Sequence, residues 1–200
     1  MKEFSLILIM NCCFVLFGQS SQEYLYDGYL KFESNDYKGA IEDFNKGISI
    51  DPSNRECYSW RAYSNLILEN FSEAINDYNK LIELNPSDTA AYYNRGCAKG
   101  NLNNFNSAIS DFNKAIELDS NHSLAYNKRG YSKLMLEDFY AALDDFNKAI
   151  ELNPKDRTAY YSRGFVKLNL EDSEGACFDW RKAGELGVNE AYDEIKEFCE

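Results

Sequence analysis

Residues 91–120, AYYNRGCAKGNLNNFNSAISDFNKAIELDS, and residues 125–154, AYNKRGYSKLMLEDFYAALDDFNKAIELNP, align without a gap at a spacing of 34 residues. Self-similarity at a fixed period of that size marks a repeat architecture, in which each copy is one supersecondary unit. Extending the register in both directions gives five units, beginning at Ser21, Arg55, Thr89, Ser123 and Arg157. Positions below are counted within a unit from those starts. Position 4 is tyrosine in every unit, position 8 is Gly28, Ala62, Gly96, Gly130 and Gly164, and position 20 is alanine throughout. Position 24 is aromatic throughout, as Phe44, Tyr78, Phe112, Phe146 and Trp180.

Each unit contains two stretches with apolar residues three and four apart, over positions 1–14 and 17–30, which predicts two amphipathic helices. Asn and Asp around positions 15 and 16 (Asn35-Asp36, Asn103-Asn104) make a short turn between them. Small residues at 8 and 20 let antiparallel helices approach, and large aromatics at 4 and 24 fill the remaining space. Proline at position 32 in three units (Pro52, Pro86, Pro154) stops the second helix. One such pair cannot bury its apolar face alone, so neighbours must stack.

In length, spacing and key residue types these units closely resemble the tetratricopeptide repeat family over residues 21 to about 190. The resemblance implies an all-α fold, a right-handed α-solenoid of five antiparallel helix pairs with a groove that holds peptides or proteins. The expected organisation is a signal peptide over 1–20, repeats over 21–54, 55–88, 89–122, 123–156 and 157–190, and a C-terminal capping helix over 191–200. The last unit deviates most, with Ser173 in place of an aromatic and Gly184 in place of isoleucine.

The first twenty residues differ from the rest. After Lys2, the run Phe4–Phe17 is almost unbroken apolar, and it gives way to Gly18-Gln19-Ser20-Ser21. It is short for a membrane span, and the small residues after it suit a cleavage site. The expectation is an exported protein, periplasmic or secreted, with no integral membrane span after signal removal. A buried first helix or an interfacial anchor is the alternative. Lipidation at Cys12 or Cys13 is a minor variant, because Asn11 stands where a lipoprotein signal has a small residue.

The formal net charge is −12. That argues against nucleic acid, whose phosphates draw on Lys and Arg, and against anionic lipid. Cysteine and histidine are too scattered for a metal site, so no metal and no cofactor is expected. The chain has a single histidine, His122, and shows no nucleophile–histidine constellation and no phosphate-cradling glycine loop, so it reads as a non-enzyme.

Two charged columns recur. Position 23 is Asp43, Asp77, Asp111, Asp145 and Asp179, and position 7 is Arg61, Arg95, Arg129 and Arg163 but Asp27 in the first unit. Pairing within a unit would set Asp27 against Asp43. Pairing with the preceding unit gives every arginine a partner, so the expected staples are Arg61–Asp43, Arg95–Asp77, Arg129–Asp111 and Arg163–Asp145. A calcium ladder is excluded, since carboxylates one helix pair apart stand about 10 Å from each other. Cys177 and Cys199 would lie at similar heights if the final helix folds back antiparallel, which makes them a disulfide candidate, and Cys57 and Cys97 are expected unpaired.

In the family, ligands contact first-helix positions 2, 5, 6, 9, 12 and 13. The resemblance therefore implies a groove lined by Tyr29, Trp60, Tyr63, Tyr93, Asn94, Asn127, Tyr131, Tyr161 and Phe165. Such a surface is rich in tyrosine and suits an extended peptide. Of the five-residue carboxylate clamp by which some members hold chaperone tails, only Asn94 is in place. The expected function is a scaffold binding a protein or peptide partner, with a structural spacer of the cell envelope as the alternative.

Overall fold

A computed structural model describes residues 19–199. The signal peptide expected over 1–20, with Cys12 and Cys13, falls almost wholly outside those residues. The described residues form helices alone. In chain order these are α1 (Ser21–Glu33), α2 (Tyr37–Ile50), α3 (Arg55–Ile67), α4 (Phe71–Leu84), α5 (Thr89–Asn101) and α6 (Phe105–Leu118), followed by α7 (Ser123–Leu134), α8 (Phe139–Leu152), α9 (Arg157–Asn169), α10 (Ser173–Glu185) and α11 (Ala191–Phe198). The chain divides into two compact units, one up to Glu73 and one from Ala74 onward. The first holds α1 to α3 and the start of α4, and the second holds the remainder.

Side chains just ahead of the helices set their beginnings. Ser20 accepts from the Glu23 N–H while Glu23 reaches back to the Ser20 N–H, a reciprocal capping box for α1. Asp36, Asn54, Asp88, Asp138, Asp156 and Asp172 each accept from a first-turn N–H of the helix that follows. His122 does the same for α7, its Nδ1 accepting from the Ala125 N–H at 3.3 Å. Between paired helices one residue always turns left-handed: Asn35, Glu69, Asn103, Glu137 and Glu171 all have φ between 59° and 64°.

Within the first unit, α2 packs against both α1 and α3. Within the second, α6 packs against α5 and α7, α8 against α7 and α9, and α10 against α9 and α11. Small residues permit that closeness. A Cβ on Gly96 would stand 2.7 Å from the Phe112 ring, so the position-8 glycine is the seat of its own repeat's position-24 aromatic. Phe44, Phe112, Phe146 and Trp180 are fully buried there, beside the position-20 alanines.

The charged columns pair differently from the expectation. Arg95 donates through Nε and Nη2 to Asp111 at 2.9 and 2.6 Å. Arg129 does so to Asp145 at 2.9 and 2.5 Å, and Arg163 to Asp179 at 2.7 Å through both nitrogens. Each fork therefore closes within its own repeat, which corrects Arg95–Asp77, Arg129–Asp111 and Arg163–Asp145. The crossing to the preceding repeat exists, but through Nη1 and an amide at position 25. Arg95 reaches Asn79 at 2.7 Å, Arg129 reaches Asn113 at 2.6 Å, Arg163 reaches Asn147 at 2.7 Å, and Arg61 reaches Asn45 at 2.5 Å.

Asp43 is not held by Arg61 as expected; Lys31 and Lys46 hold it from its own repeat, at 2.5 and 2.9 Å. Burial pushes the Asp43 carboxyl up, but the hydrogen bonds from the two lysines outweigh it and keep its pKa below the ordinary aspartate value. Asp43 is thus neutralised within its own repeat without an arginine. The same position 11 supplies Lys99, Lys133 and Lys167 to Asp111, Asp145 and Asp179. That lysine column was readable at the 34-residue period beside the arginines, with Asn65 interrupting it in repeat two.

Cys177 and Cys199 form a disulfide with Cα atoms 5.8 Å apart, and Cys57 and Cys97 carry free thiols. The bridge ties α11 to α10.

Candidate functional site

The nine groove candidates separate into three environments. In the first unit, Tyr29, Trp60 and Tyr63 come together around Phe32. The Trp60 ring lies 5.1 Å from both Tyr29 and Phe32 in edge-on contact, and Phe32 stacks on Tyr63 at 5.5 Å. Edge-to-face packing of this kind adds to simple burial. Tyr63 keeps half of its surface exposed, and Tyr26 and Leu30 on α1 and Ile67 on α3 are exposed as well.

In the second unit several candidates are engaged in packing. Asn127 is buried, and its amide donates to Asp156 at 2.7 Å and to Thr158 at 2.8 Å. It secures the cap of the next repeat and is not a groove surface. Tyr93 lies 4.9 Å from the His122 ring and 6.0 Å from Phe112, and burial pushes its phenol well above the ordinary tyrosine range. Tyr161 is bonded to the C-terminal helix, and Phe165 packs against the core that this helix helps to close. The Tyr161 hydroxyl donates to Glu194 at 3.1 Å, and Phe165 packs between Tyr161 and Trp180 at 5.0 and 5.3 Å. Burial and the Glu194 carboxylate push Tyr161 up to about 12. These two residues belong to the end cap, a correction that follows from where α11 lies. Asn94 is half-buried, and Tyr131 remains 44% exposed.

Tyr131 stands beside a cavity of about 230 Å³ formed by α5, α6 and α7. Cys97, Gly100, Phe105, Phe112, Lys128 and Met135 also line it. Burial raises the Cys97 thiol pKa, so that wall is a neutral, weakly polar surface. Among the described residues no group of three or more His, Cys, Asp or Glu side chains gathers as metal ligands would. No described helix is long and apolar enough to cross a membrane.

Family models described as tetratricopeptide repeat match residues 89–122, 123–156 and 28–54, and one described as TPR repeat matches 66–102. The chain belongs to the tetratricopeptide repeat family. No curated protein matches it. Among solved structures, a crystal structure of MamA is similar at 25% identity, covering 82% of this chain and 96% of that one with a TM-score of 0.76. MamA 41-end from Desulfovibrio magneticus RS-1 gives 16% identity, coverage of 84% and 96%, and a TM-score of 0.79. YrrB, described as a TPR protein with an unusual peptide-binding site, gives 20% identity, coverage of 88% and 91%, and a TM-score of 0.74. At their level of identity the latter two establish the fold alone, the tetratricopeptide repeat arrangement of helix pairs.

Proposed function

We propose that this tetratricopeptide repeat protein is a non-enzymatic scaffold that holds an extended segment of a partner protein along the first-helix faces of its repeats. The observation that carries the reading is in the second unit, where half-exposed Tyr131 on α7 lines an open cavity; in the first unit Tyr63 on α3 is half-exposed as well. Tyrosines of this kind give large contact area at little conformational cost, and their hydroxyls bond to a peptide backbone. The apolar leader at 4–17 and a disulfide-bonded cap support a place outside the reducing cytoplasm, in a bacterial envelope or beyond it. Nucleic acid is a poor fit to a net charge of −12.

The second reading is a structural spacer that uses its second-helix faces. Tyr140 on α8 favours it, being 75% exposed. A photo-crosslinking amino acid placed singly at 63, 131 and 140 in the producing cell separates the two. Crosslinks to one partner from 63 and 131, and none from 140, are expected. The reverse pattern sinks the scaffold reading in favour of the spacer.

A further inference from the structure

Repeat three departs from the other four at two places on its first helix. At position 9 they carry Tyr29, Tyr63, Tyr131 and Phe165, where repeat three has Cys97. At position 12 they carry Phe32, Leu66, Leu134 and Leu168, where repeat three has Gly100. Elsewhere the position-12 side chain is part of the packing. Phe32 joins the ring cluster around Trp60, Leu134 packs against the core containing Phe146, and Leu168 packs against that containing Trp180. A Cβ built on Gly100 would meet nothing within 4 Å.

The 230 Å³ cavity is lined by Cys97 and Gly100 themselves, the two positions at which the other repeats carry bulky side chains. Phe105, Phe112, Tyr131 and Met135 line it with apolar and aromatic groups, and Asn101, Asn103 and Ser132 add polar ones. An apolar cavity of roughly 150 Å³ is enough to take up a benzene ring, so this one has room for an aromatic or leucine-sized side chain. At its rim, Lys128 is exposed and paired with no acidic side chain among the described residues. The neighbouring lysines differ: Lys99 and Lys133 are tied to Asp111 and Asp145. In a chain of net charge −12, that leaves Lys128 as the cation presented at this opening.

We propose that this cavity is an anchor pocket for one bulky apolar side chain, tyrosine-, phenylalanine- or leucine-sized, of an extended partner segment, with a neighbouring carboxylate of that segment meeting Lys128. The partner's side chain takes the place that the other repeats fill with their own residue. The pocket rests on the first-helix face being the binding surface, and it adds the chemistry of what is bound.

The test uses fluorescent ten-residue Gly-Ser peptides with a single central Tyr, Phe, Leu or Ala, each made with Asp or Lys two residues on. Polarisation is read against the intact protein, Gly100→Leu and Lys128→Glu. Peptides with a bulky centre should bind at least tenfold more tightly than those with alanine, and Asp should be preferred to Lys. Gly100→Leu supplies the residue type the other repeats carry, so its Tm should be unchanged or higher while the tenfold discrimination disappears. Lys128→Glu should invert the preference for Asp. The pocket is overturned if bulky centres gain nothing over alanine, or if Gly100→Leu binds like the parent protein. Binding that survives Gly100→Leu but is lost in Tyr63→Ala overturns the pocket and leaves the wider scaffold reading standing. Crosslinks from position 140 alone overturn that reading itself.

Discussion

An arginine at position 7 meets three demands at once in this protein. Its planar fork closes on the buried carboxylate of its own repeat, its third nitrogen reaches the preceding repeat, and it lies over the repeat's position-4 tyrosine, 5.3 Å from Arg129 to the Tyr126 ring. A lysine ammonium is a point donor and cannot span Asp145 and Asn113 together. Arg129→Ala leaves Asp145 buried with Lys133 as its remaining cation, and a loss of about 3 kcal/mol is expected from breaking a buried pair on one side. Arg129→Lys should recover part of that loss, and Asn113→Ala, which removes an exposed acceptor, should cost about 1 kcal/mol or less. Urea denaturation of the three variants measures the order; equal losses for all three would contradict it. At this scale the columns were legible in the sequence and the pairing was not. Both geometries satisfy the arginines, and the lysines at position 11, one turn further along the same helix, fit either; Lys31 supplies the cation that the first repeat lacks at position 7. Asn127 was misread for a related reason. Whether its position faces solvent depends on Asp156 and Thr158 of the next repeat, which the residue itself does not announce.

At the level of the helices, period and boundaries were legible because local chemistry agrees with the packing. Apolar spacing gives the buried faces, and Asp or Asn stands at most helix starts. His122 escaped that logic because histidine is an uncommon cap. The tight turns hold a second lesson. Asn103 tolerates the left-handed conformation, whereas Glu137 at φ 60° sits in a region that costs a side chain about 1–2 kcal/mol. Replacing Glu137 by glycine removes that cost at the expense of a more flexible unfolded chain. A net gain of about 1 kcal/mol in stability is expected, read as a rise in Tm, with Asn103→Gly gaining less. A fall in Tm for Glu137→Gly would show that its carboxylate, not its backbone, governs the turn.

Across the molecule, the end of the array was the least legible part. Phe165 is aromatic at the same position as half-exposed Tyr63 and Tyr131, and Tyr161 differs from Tyr93 at its own position in meeting Glu194 of α11. The disulfide closes a loop with a sequence separation of 22. Chain-entropy reasoning for a loop of that size gives about 3 kcal/mol of stabilisation. Cys199→Ser should therefore raise hydrogen exchange in α11 and α10 well above that in α5 to α8, and should bring Tyr161 back toward the ordinary phenol pKa by lessening its burial and loosening Glu194. Uniform exchange across all of these helices would mean that the bridge does not govern the cap separately.

The amide-to-guanidinium crossing works like a plug and socket with a direction. Repeats two to five carry the plug at position 7, and repeats one to four carry the socket at position 25, where repeat five has Arg181 and repeat one has Asp27 at position 7. A copy of repeat three or four inserted internally would bring a matching pair with it. The same copy grafted after repeat five would set its guanidinium against that of Arg181. Lengthening this protein by design thus calls for Arg181→Asn at one end, or Asp27→Arg at the other, before any new core is drawn.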